Sequence, residues 1–483
     1  MRQNHAMQLN YIANTPVASS SGKTIPVIDP SDGQVFDDIQ RSNAADIHTA
    51  VTAARDCFDM VWQHIPAADR GRLLMKLSGK VAEHADELAL IEQRDCGKPV
   101  KQARADAAAL ARYFEFYAGA CDKLHGDTIP YQNGYSVMTW REPHGVTGHI
   151  VPWNYPMQIF GRSVAGALAA GNVCVVKPSE DACLSLLRVA QLAAEVGFPA
   201  GAINIVTGYG HEVGDALARH PGIDHISFTG SPNVGTLIQQ VAAVRHCPVT
   251  LELGGKSPQI VFADADLDAA IPAIVNAIVQ NAGQTCSAGS RLLVEQSIYE
   301  PLLERLGHAF ENLRVGPAAM DLDVGPLIRQ SQQQRVWDFL SDAQVSSIPM
   351  VAQGQIVDEA LDTGFYQVPT LLRDVPVMHR LAQEEVFGPV LCAMPFRDEA
   401  HAVELANATQ FGLVAAVWTA DGARQFRMAK KIRAGQVFIN NYGAGGGVEL
   451  PFGGVKSSGY GREKGLEALA GFSVLKTVVL RHG

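Results

Sequence analysis

The sequence predicts an α/β protein built on parallel β-sheets, and three observations support this fold class. Short apolar runs alternate with segments of helical spacing from residue 146 to residue 253, and a second alternating block covers roughly 255–440. Strand–helix repetition of this kind is typical of parallel sheets. Before these blocks, residues 45–121 are predicted to be helical, because Ala, Leu and charged residues recur every three or four positions.

The individual elements are predicted from the runs themselves. The strands of the first block are expected at 146–151, 173–177, 203–206, 225–228 and 248–253. Helices are expected after Pro156 and from about residues 181, 211 and 233. The runs RLLVE, PVLCAMPF, LVAAVW and GQVFIN predict strands in the second block. Residues 135–150 predict a hairpin around a Pro-His-Gly turn. Residues 472–480 predict a strand near the C-terminus, too late in the chain to be assigned to either block.

Composition and charge exclude several classes of function. The chain has 483 residues, 47% hydrophobic and 18% charged, with a formal net charge of −10, which argues against attraction to nucleic acid or to anionic membranes. No apolar stretch of about 20 residues could span a membrane, and the N-terminus lacks the apolar region of a signal peptide. The eight cysteines show no zinc-site spacing. We therefore expect a cytoplasmic protein with free thiols and no metal.

Two stretches suggest a site for a phosphate-bearing cofactor. In FTGSPNVG (228–235), Gly230 and Ser231 lie between a predicted strand and a predicted helix, where backbone N–H groups can bind phosphate. The alternative is an ordinary helix-capping turn. In VVKPSE, Lys177 ends a predicted strand, and Glu180 could accept hydrogen bonds from ribose hydroxyls and would repel a 2′-phosphate. The alternative for these two residues is an exposed ion pair at a helix start.

Three further residues suggest chemistry on a substrate. Asn154, on a loop between two prolines in PWNYP, is a candidate oxyanion donor; the alternative is a rigid turn with a packed aromatic ring. Glu252, at a strand end before two glycines, is a candidate general base whose pKa burial would raise; the alternative is a salt-bridged glutamate. Cys286, in NAGQTCSAGSR, has small and polar neighbours, unlike the other seven cysteines. This context favours a reactive thiol over a packed one.

Taken together, the ordered motifs resemble those of the aldehyde dehydrogenase superfamily, of the hydrolytic, NAD(P)-dependent type. They are PWNYP, KPSE, FTGSPNVG, LELGGKSP, GQTCSAGSR, EEVFGPV and PFGGVKSSG, and the resemblance covers nearly the whole chain. It implies that Cys286, which lies 34 residues after Glu252, attacks the aldehyde carbon. Asn154 and the Cys286 backbone N–H would hold the oxyanion, and Glu252 would activate the water that hydrolyses the thioester.

The resemblance also implies a cofactor and its contacts. NAD is expected rather than NADP, because of the carboxylate of Glu180. Glu385 and Phe387, in EEVFGPV, match residues that hold the nicotinamide ribose and ring. The full set of expected cofactor-binding residues is Trp153, Lys177, Glu180, Gly230, Ser231, Gly235, Glu385 and Phe387.

In fold, the resemblance implies two Rossmann-like open α/β domains and a small β oligomerisation element. The coenzyme domain would cover 1–122 and 146–254, and the catalytic domain would cover 255–466. The oligomerisation element would consist of 123–145 and 467–483. Because exposed β edges there would otherwise risk aggregation, a homodimer or homotetramer is expected.

The sequence departs from the family pattern in two places. Many members carry a Trp-Lys pair after PWNYP, and its lysine relays protons with an acid near the C-terminus. Here Arg162 and Ser163 occupy that region, so Glu463, which matches the acid, is assigned a secondary role. The loop before PFGG borders the aldehyde tunnel in the family, and small residues there favour a bulky or long aldehyde, such as an aminoaldehyde, a semialdehyde or an aromatic aldehyde. These residues are Ala444, Gly445, Gly446 and Gly447.

Three other functions match parts of the pattern. A CoA-acylating dehydrogenase would not need the water-activating carboxylate of Glu252. A non-catalytic protein on the same fold need not keep Cys286, Glu252 and Asn154 together. A cofactor-free thiol hydrolase would leave the expected cofactor contacts without a role. The leading hypothesis is therefore NAD-dependent oxidation of an aldehyde to a carboxylic acid.

Overall fold

Both predicted parallel sheets are present in the computed structural model, which describes residues 7–443 and 447–483. In chain order the strands are β1 (Asn10–Ile12), β2 (Thr15–Val17), β3 (Thr24–Ile28), β4 (Val35–Gln40), β5 (Thr128–Ile129), β6 (Tyr135–Pro143), β7 (Val146–Val151), β8 (Val173–Pro178), β9 (Ile203–Ile205), β10 (His225–Thr229), β11 (Val249–Glu252), β12 (Pro258–Val261), β13 (Arg291–Glu295), β14 (Arg314–Val315), β15 (Met350–Gln353), β16 (Gln355–Ile356), β17 (Thr370–Leu372), β18 (Val390–Phe396), β19 (Val414–Trp418), β20 (Gln436–Ile439), β21 (Gly459–Tyr460) and β22 (Ser473–Arg481).

The helices confirm the predicted helical region before residue 121 and the alternation after it. They are α1 (Ala44–Met60), α2 (Ala67–Glu83), α3 (Ala85–Cys96), α4 (Val100–Ala120), α5 (Pro156–Phe160), α6 (Gly166–Ala169), α7 (Leu184–Glu195), α8 (Asp215–Arg219), α9 (Pro232–Ala243), α10 (Leu267–Val279), α11 (Tyr299–Glu311), α12 (Gln330–Val345), α13 (Arg380–Gln383), α14 (Glu399–Asn407), α15 (Gly422–Lys431) and α16 (Glu467–Gly471). A π-helical turn, Gly161–Ala165, joins α5 to α6.

The first sheet contains every strand predicted between residues 146 and 253. Its central strands run parallel in the order β9-β8-β7-β10-β11. At one side β1 pairs antiparallel with β9 and β2 pairs with β1, and at the other side β21 pairs antiparallel with β11. All six residues of β8 are buried, as expected for a strand covered by helices on both faces. The large apolar core around this sheet includes residues of α1, α2, α4 and α7.

The second sheet has the order β15-β17-β18-β13-β12-β19-β20, and β15 is its antiparallel edge strand. It has a separate apolar core, to which α10 and α11 contribute. The predicted domain limits stay a prediction. The edge strand β21 (Gly459–Tyr460) lies within the range assigned to the catalytic domain, yet it pairs with β11 of the first sheet.

The hairpin predicted for residues 135–150 is wrong. The chain turns at Gly145, whose φ is 127°, but the segments on either side enter different sheets. β7 joins the first sheet, whereas β6 pairs with β5 and with the late strand β22. The β6–β22 register extends from Pro143 opposite Ser473 to Tyr135 opposite Arg481. The apolar pattern identified two strands, but their pairing depends on a partner far along the chain.

Two searches of the described residues bear on other classes of function. No helix in 7–443 or 447–483 is both long and apolar enough to cross a membrane. Within the same ranges, no group of three or more His, Cys, Asp or Glu side chains could hold a metal ion.

Candidate active site

The carboxyl edge of the first sheet carries several of the predicted site residues. Because β7, β8, β10 and β11 are parallel, their carboxyl ends meet at one edge. Asn154 follows β7, Lys177 lies near the end of β8, Gly230 follows β10 and Glu252 ends β11. The fold therefore brings together residues that are far apart in sequence.

Cys286 lies on a strained loop between α10 and β13. Asn281 and Ala282 have φ values of 50° and 54°, and Gly283 has a φ of 74°; this left-handed backbone costs a non-glycine residue about 1–3 kcal/mol. A Cβ atom at Gly283 would also collide with the backbone of Gly388, so glycine is required there. The thiol is half-buried. The apolar group beside it consists of Leu413, Val414, Phe438, Tyr442 and Phe452.

The protonation of the thiol is set by burial and by one nearby cation. Burial raises the pKa of Cys286 to about 11, and the Arg162 guanidinium opposes this rise. Because the thiolate is the nucleophilic form, the resting thiol is protonated at neutral pH and needs activation when a substrate binds.

Asn154 is buried and is bonded to the loop that carries Cys286. Its side-chain Nδ2 donates to the backbone oxygen of Gln284 at 2.9 Å, and its own backbone oxygen accepts from Asn281 Nδ2 at 2.8 Å. One of the two N–H groups of the amide is used in this contact. The packed aromatic ring of the alternative interpretation is also present, because Trp153 lies on the same loop and its ring packs edge-on against Phe387.

Glu252 is buried, and neither carboxylate oxygen has a hydrogen-bond partner among the described residues. The alternative of a salt-bridged strand-end glutamate is therefore not found there. Burial raises the pKa of Glu252 well above its ordinary value, and the positive charge of Arg162 opposes the rise. The turn after Glu252 reaches the nucleophile loop, because a Cβ atom at Gly255 would collide with the backbone oxygen of Cys286.

Arg162, whose charge acts on both Cys286 and Glu252, forms a buried ion pair with Glu463. Arg162 Nε lies 2.5 Å from Glu463 Oε2, and the other carboxylate oxygen accepts from Ser227 Oγ at 2.7 Å. Arg162 Nη2 donates to Thr229 Oγ1 at 3.0 Å, and the guanidinium lies over the Phe452 ring at 4.9 Å from its centre. Both charged side chains are thus fixed by several contacts.

Ser163 does not face this ion pair. Its hydroxyl donates to the backbone oxygen of Ile159, one turn earlier in the same helix, at 2.9 Å. Arg162 and Ser163 both lie in the π-helical turn, a distortion that is frequent at functional sites. A guanidinium does not release its proton in proteins, so Arg162 cannot do what a relay lysine does.

Lys177 and Glu180 form an ion pair, but it is not the exposed pair of the alternative interpretation. The Lys177 Nζ donates to Glu180 Oε2 at 2.7 Å, so the ion pair exists, but Lys177 is buried and Glu180 half-buried. Burial alone would raise the pKa of Glu180, yet the Lys177 ammonium outweighs it and holds the pKa below its usual value. An ionised carboxylate at the strand end fits a ribose and disfavours a 2′-phosphate.

The turn from β10 into α9 also combines a cap with an open backbone. Ser231 Oγ accepts from the Val234 N–H at 3.4 Å, which confirms the capping alternative. Ser231 itself is exposed, however, and a Cβ atom at Gly230 would collide with the Phe228 ring. Gly235 in the first turn packs tightly against Leu253. The start of this helix is exposed, and a helix N-terminus is a favourable place for a phosphate group.

Glu385 and Phe387 connect the cofactor side to the nucleophile. Glu385 Oε1 accepts from the Gly255 N–H at 3.1 Å, and burial raises the pKa of Glu385 to about 7. Phe387 has a φ of 61°, and its backbone oxygen accepts from Gln332 Nε2 at 2.7 Å. Of the two residues expected to hold a nicotinamide riboside, Glu385 therefore contacts the turn that follows Glu252.

Sequence reasoning missed some contacts of this site. Nothing in the sequence distinguishes Ser227, a buried strand residue that donates to Glu463. Tyr442, whose hydroxyl donates to the backbone oxygen of Ser287, could have been found, because it precedes the glycine-rich loop already assigned to the substrate. Three residues of that loop, at 444–446, lie outside the described residues.

We predict that iodoacetamide alkylates Cys286 faster as the pH rises. The pKa of about 11 means that the thiolate fraction, and with it the rate, grows about tenfold per pH unit between about pH 7 and pH 10. Peptide mass spectrometry of the enzyme without added cofactor measures the rate, and Cys247, the other half-buried cysteine, is an internal control. A rate that levels off below about pH 9 would contradict the raised pKa.

Comparisons with known proteins agree with the geometry of this site. The family model "Aldehyde dehydrogenase family" matches residues 17–478. Hydroxyisobutyraldehyde dehydrogenase from Mycolicibacterium austroafricanum is 41% identical over 471 residues, which cover 97% of this chain and 93% of that protein. A crystal structure from Burkholderia cenocepacia is 71% identical, with a TM-score of 0.98, and the match covers 98% of this chain and 100% of the other.

A structure with a bound cofactor is also similar. The crystal structure of PnpE in complex with nicotinamide adenine dinucleotide is 39% identical, with a TM-score of 0.96, and 98% of each chain is covered. The chain belongs to the aldehyde dehydrogenase family and is an NAD-dependent oxidoreductase that acts on aldehydes.

Proposed function

We propose that this enzyme oxidises its aldehyde through a covalent thioester on Cys286 and that Glu252 activates the water that hydrolyses it. The observation that carries the proposal is the close approach of the turn after Glu252 to the backbone oxygen of Cys286. Asn154 is bonded to the loop that carries the thiol, and its amide would supply an N–H to the oxyanion. A buried carboxylate without a hydrogen-bond partner in the described structure suits a group that must bind and deprotonate water.

In the proposed reaction, the Cys286 thiol first gives its proton to solvent water. The thiolate then attacks the aldehyde carbon, and Asn154 Nδ2 and the Cys286 N–H stabilise the oxyanion. NAD, when bound, supplies the acceptor for the hydride that leaves the adduct. Glu252 then takes a proton from water, and the resulting hydroxide attacks the thioester carbon. The C–S bond breaks and the proton of the new acid passes to the sulfur, which leaves a carboxylate and the Cys286 thiol. Glu252 returns to its ionised form by giving its proton to solvent water. Since Glu252 acts in its ionised form and burial raises its pKa, this hydrolytic step accelerates as the pH rises.

The cofactor and substrate preferences rest on fewer residues. The ionised Glu180 beside Lys177 favours NAD over NADP through repulsion of a 2′-phosphate. The aromatic group of Phe438, Tyr442 and Phe452 near Cys286 favours an apolar aldehyde. Gly447 adds no side chain to the loop, and this supports a bulky or long substrate over acetaldehyde.

A panel of aldehydes, followed by NADH or NADPH absorbance, tests this function. We expect a carboxylic acid product, a higher kcat/KM with NAD than with NADP, and a higher kcat/KM for large aldehydes than for acetaldehyde. Cys286→Ala should lower turnover at least about 10³-fold, whereas Cys247→Ala, at the other half-buried cysteine, should not. Full activity of Cys286→Ala would contradict the mechanism, and acyl-CoA formation in the presence of CoA would favour the CoA-acylating alternative.

We further propose that Arg162 and Glu463 act as a fixed ion pair rather than as a proton relay. Arg162 is permanently charged, and its charge opposes the raised pKa values of both Cys286 and Glu252. Glu463 holds the Arg162 guanidinium in place through their ion pair. Protons released by Glu252 therefore leave by water rather than through residue 162 or 163.

Glu463→Gln should slow turnover several-fold without abolishing it. The amide keeps the shape of the carboxylate but no longer balances the charge of Arg162, so the guanidinium is held less firmly. Steady-state rates across about pH 6 to 9 measure the effect, and Glu467→Gln, at an exposed glutamate on α16, is the matched control. Wild-type activity of Glu463→Gln throughout this range would remove Glu463 from the mechanism.

We also propose a cytoplasmic homodimer or homotetramer that assembles through the β22-β6-β5 sheet. β22 is an edge strand of this sheet. An unpaired strand edge with apolar side chains favours association with a second copy, and the eight free cysteines suit a reducing compartment. The exposed apolar residues of β22 are Val474, Leu475, Val479 and Leu480, and β6 adds Trp140.

Sedimentation equilibrium should give the mass of a dimer or a tetramer. Leu475→Lys combined with Val479→Lys, on one face of β22, should shift the mass toward the monomer, because two charges would be buried in the interface. Leu361→Lys, at an exposed leucine outside this sheet, should leave the mass unchanged. A monomeric wild-type protein would contradict the proposal.

A further inference from the structure

We propose that a buried group of three charged side chains, Glu92, Lys98 and Asp106, positions the nucleophile through a contact between Tyr155 and Thr285. We call these three side chains the ion cluster. The inference rests on the proposed function, since it takes Cys286 as the nucleophile. None of the three touches the reacting atoms, so they are positioning residues.

The ion cluster is enclosed between α3 and α4. Lys98 lies in the turn between the two helices, and its Nζ donates to Glu92 Oε1 at 2.7 Å and to Asp106 Oδ2. All three side chains are buried, and a buried charge that loses its partner costs about 3–5 kcal/mol. Burial raises the pKa of Glu92, and the positive charge of Lys98 opposes this rise.

Each member of the ion cluster contacts the segment that follows β7, either at Tyr155 in the loop or in the first turn of α5. Asp106 Oδ1 accepts from Gln158 Nε2 at 2.6 Å, and Glu92 Oε2 accepts from the Met157 N–H at 3.4 Å. Lys98 Nζ lies 4.1 Å from the centre of the Tyr155 ring, a cation–π contact that is strong when it is desolvated. The segment 155–158 is therefore attached to the ion cluster at three points.

Tyr155 extends this attachment to the nucleophile loop. Its hydroxyl and Thr285 Oγ1 lie 2.9 Å apart, and Thr285 directly precedes Cys286. A second attachment comes from α4, the helix that carries Asp106, because Gln102 Oε1 accepts from the Asn281 N–H at 2.9 Å. The loop is thus held at two points, Asn281 and Thr285, by groups fixed to α4 and its ion cluster.

The strain in the loop explains why it needs this attachment. Asn281 and Ala282 are in left-handed conformations, which persist only when the surroundings hold them. Without the contact at Thr285, the loop can relax and move the Cys286 thiol away from the Asn154 amide. A displacement of about 1 Å in a reacting group costs about 10²-fold in rate.

The alternative is that the ion cluster only stabilises the packing of α3 against α4. Lys98→Met cannot separate the two possibilities, because it leaves buried carboxylates and the variant can fail to fold. Tyr155→Phe and Thr285→Val are better tests. Each removes one hydroxyl of the connecting contact and leaves the ion cluster intact.

The two variants, their double mutant and Thr285→Ser are compared in three measurements. These are the rate of Cys286 alkylation by iodoacetamide, the kcat and KM of the NAD-dependent reaction, and the melting temperature. Tyr366→Phe is the matched control, since the Tyr366 hydroxyl donates to the backbone oxygen of Ser31 at 2.6 Å, away from the nucleophile loop.

We expect Tyr155→Phe and Thr285→Val each to lower kcat and the alkylation rate about tenfold, with the KM for NAD unchanged. The double mutant should be no slower than the slower single variant, because both lose the same contact. Thr285→Ser should keep the wild-type rates, and so should Tyr366→Phe. Wild-type alkylation and kcat in both single variants, or independent effects that multiply in the double mutant, would overturn the inference. A wild-type enzyme whose turnover did not depend on Cys286 would instead contradict the proposed function.

Discussion

The contact between the glycine turn after β11 and the loop of Cys286 is the constraint on which the rest of the site depends. A side chain at Gly255 would collide with the backbone oxygen of Cys286, and one at Gly254 would collide with the Glu385 carboxylate. Because both positions are glycine, the end of the first sheet can lie directly against the loops of the second. This approach brings the Glu252 carboxylate close to the loop of Cys286 and to Glu385, which is expected to contact the cofactor.

This approach has an electrostatic consequence. Burial raises the pKa values of Glu252, Cys286 and Glu385, so each group loses some of its ionised form. Arg162 is the cation that opposes the shift for both Glu252 and Cys286, and Glu463 fixes its position. Because an arginine stays charged at every working pH, its effect on the pKa values of Glu252 and Cys286 does not change with pH, whereas a lysine could also exchange a proton.

The sequence predicted the parallel central strands of the first sheet and strands β13, β18, β19 and β20 of the second, because buried parallel strands are nearly continuous apolar runs, as in β8. It did not predict the short strands β1, β2 and β21 at the edges of the first sheet. It could not predict that β6 pairs with β22, since strand pairing depends on the path of the whole chain. The resemblance supplied Cys286, Glu252 and Asn154 as a set, and the fold places them at adjoining loops. The pairing of Arg162 with Glu463 was hidden for the same reason as the β6–β22 pairing: both partners were noted, but only tertiary structure joins them.

The central claim is that an acyl group rests on Cys286 until Glu252 activates water, and mass spectrometry of Glu252→Gln after mixing with aldehyde and NAD tests it most directly. We expect this variant to become heavier by the mass of the aldehyde less two hydrogen atoms, with the added mass on the peptide that contains Cys286, because oxidation precedes the blocked hydrolysis. Continued release of acid by Glu252→Gln at the wild-type rate, or an adduct on any other residue, would contradict it.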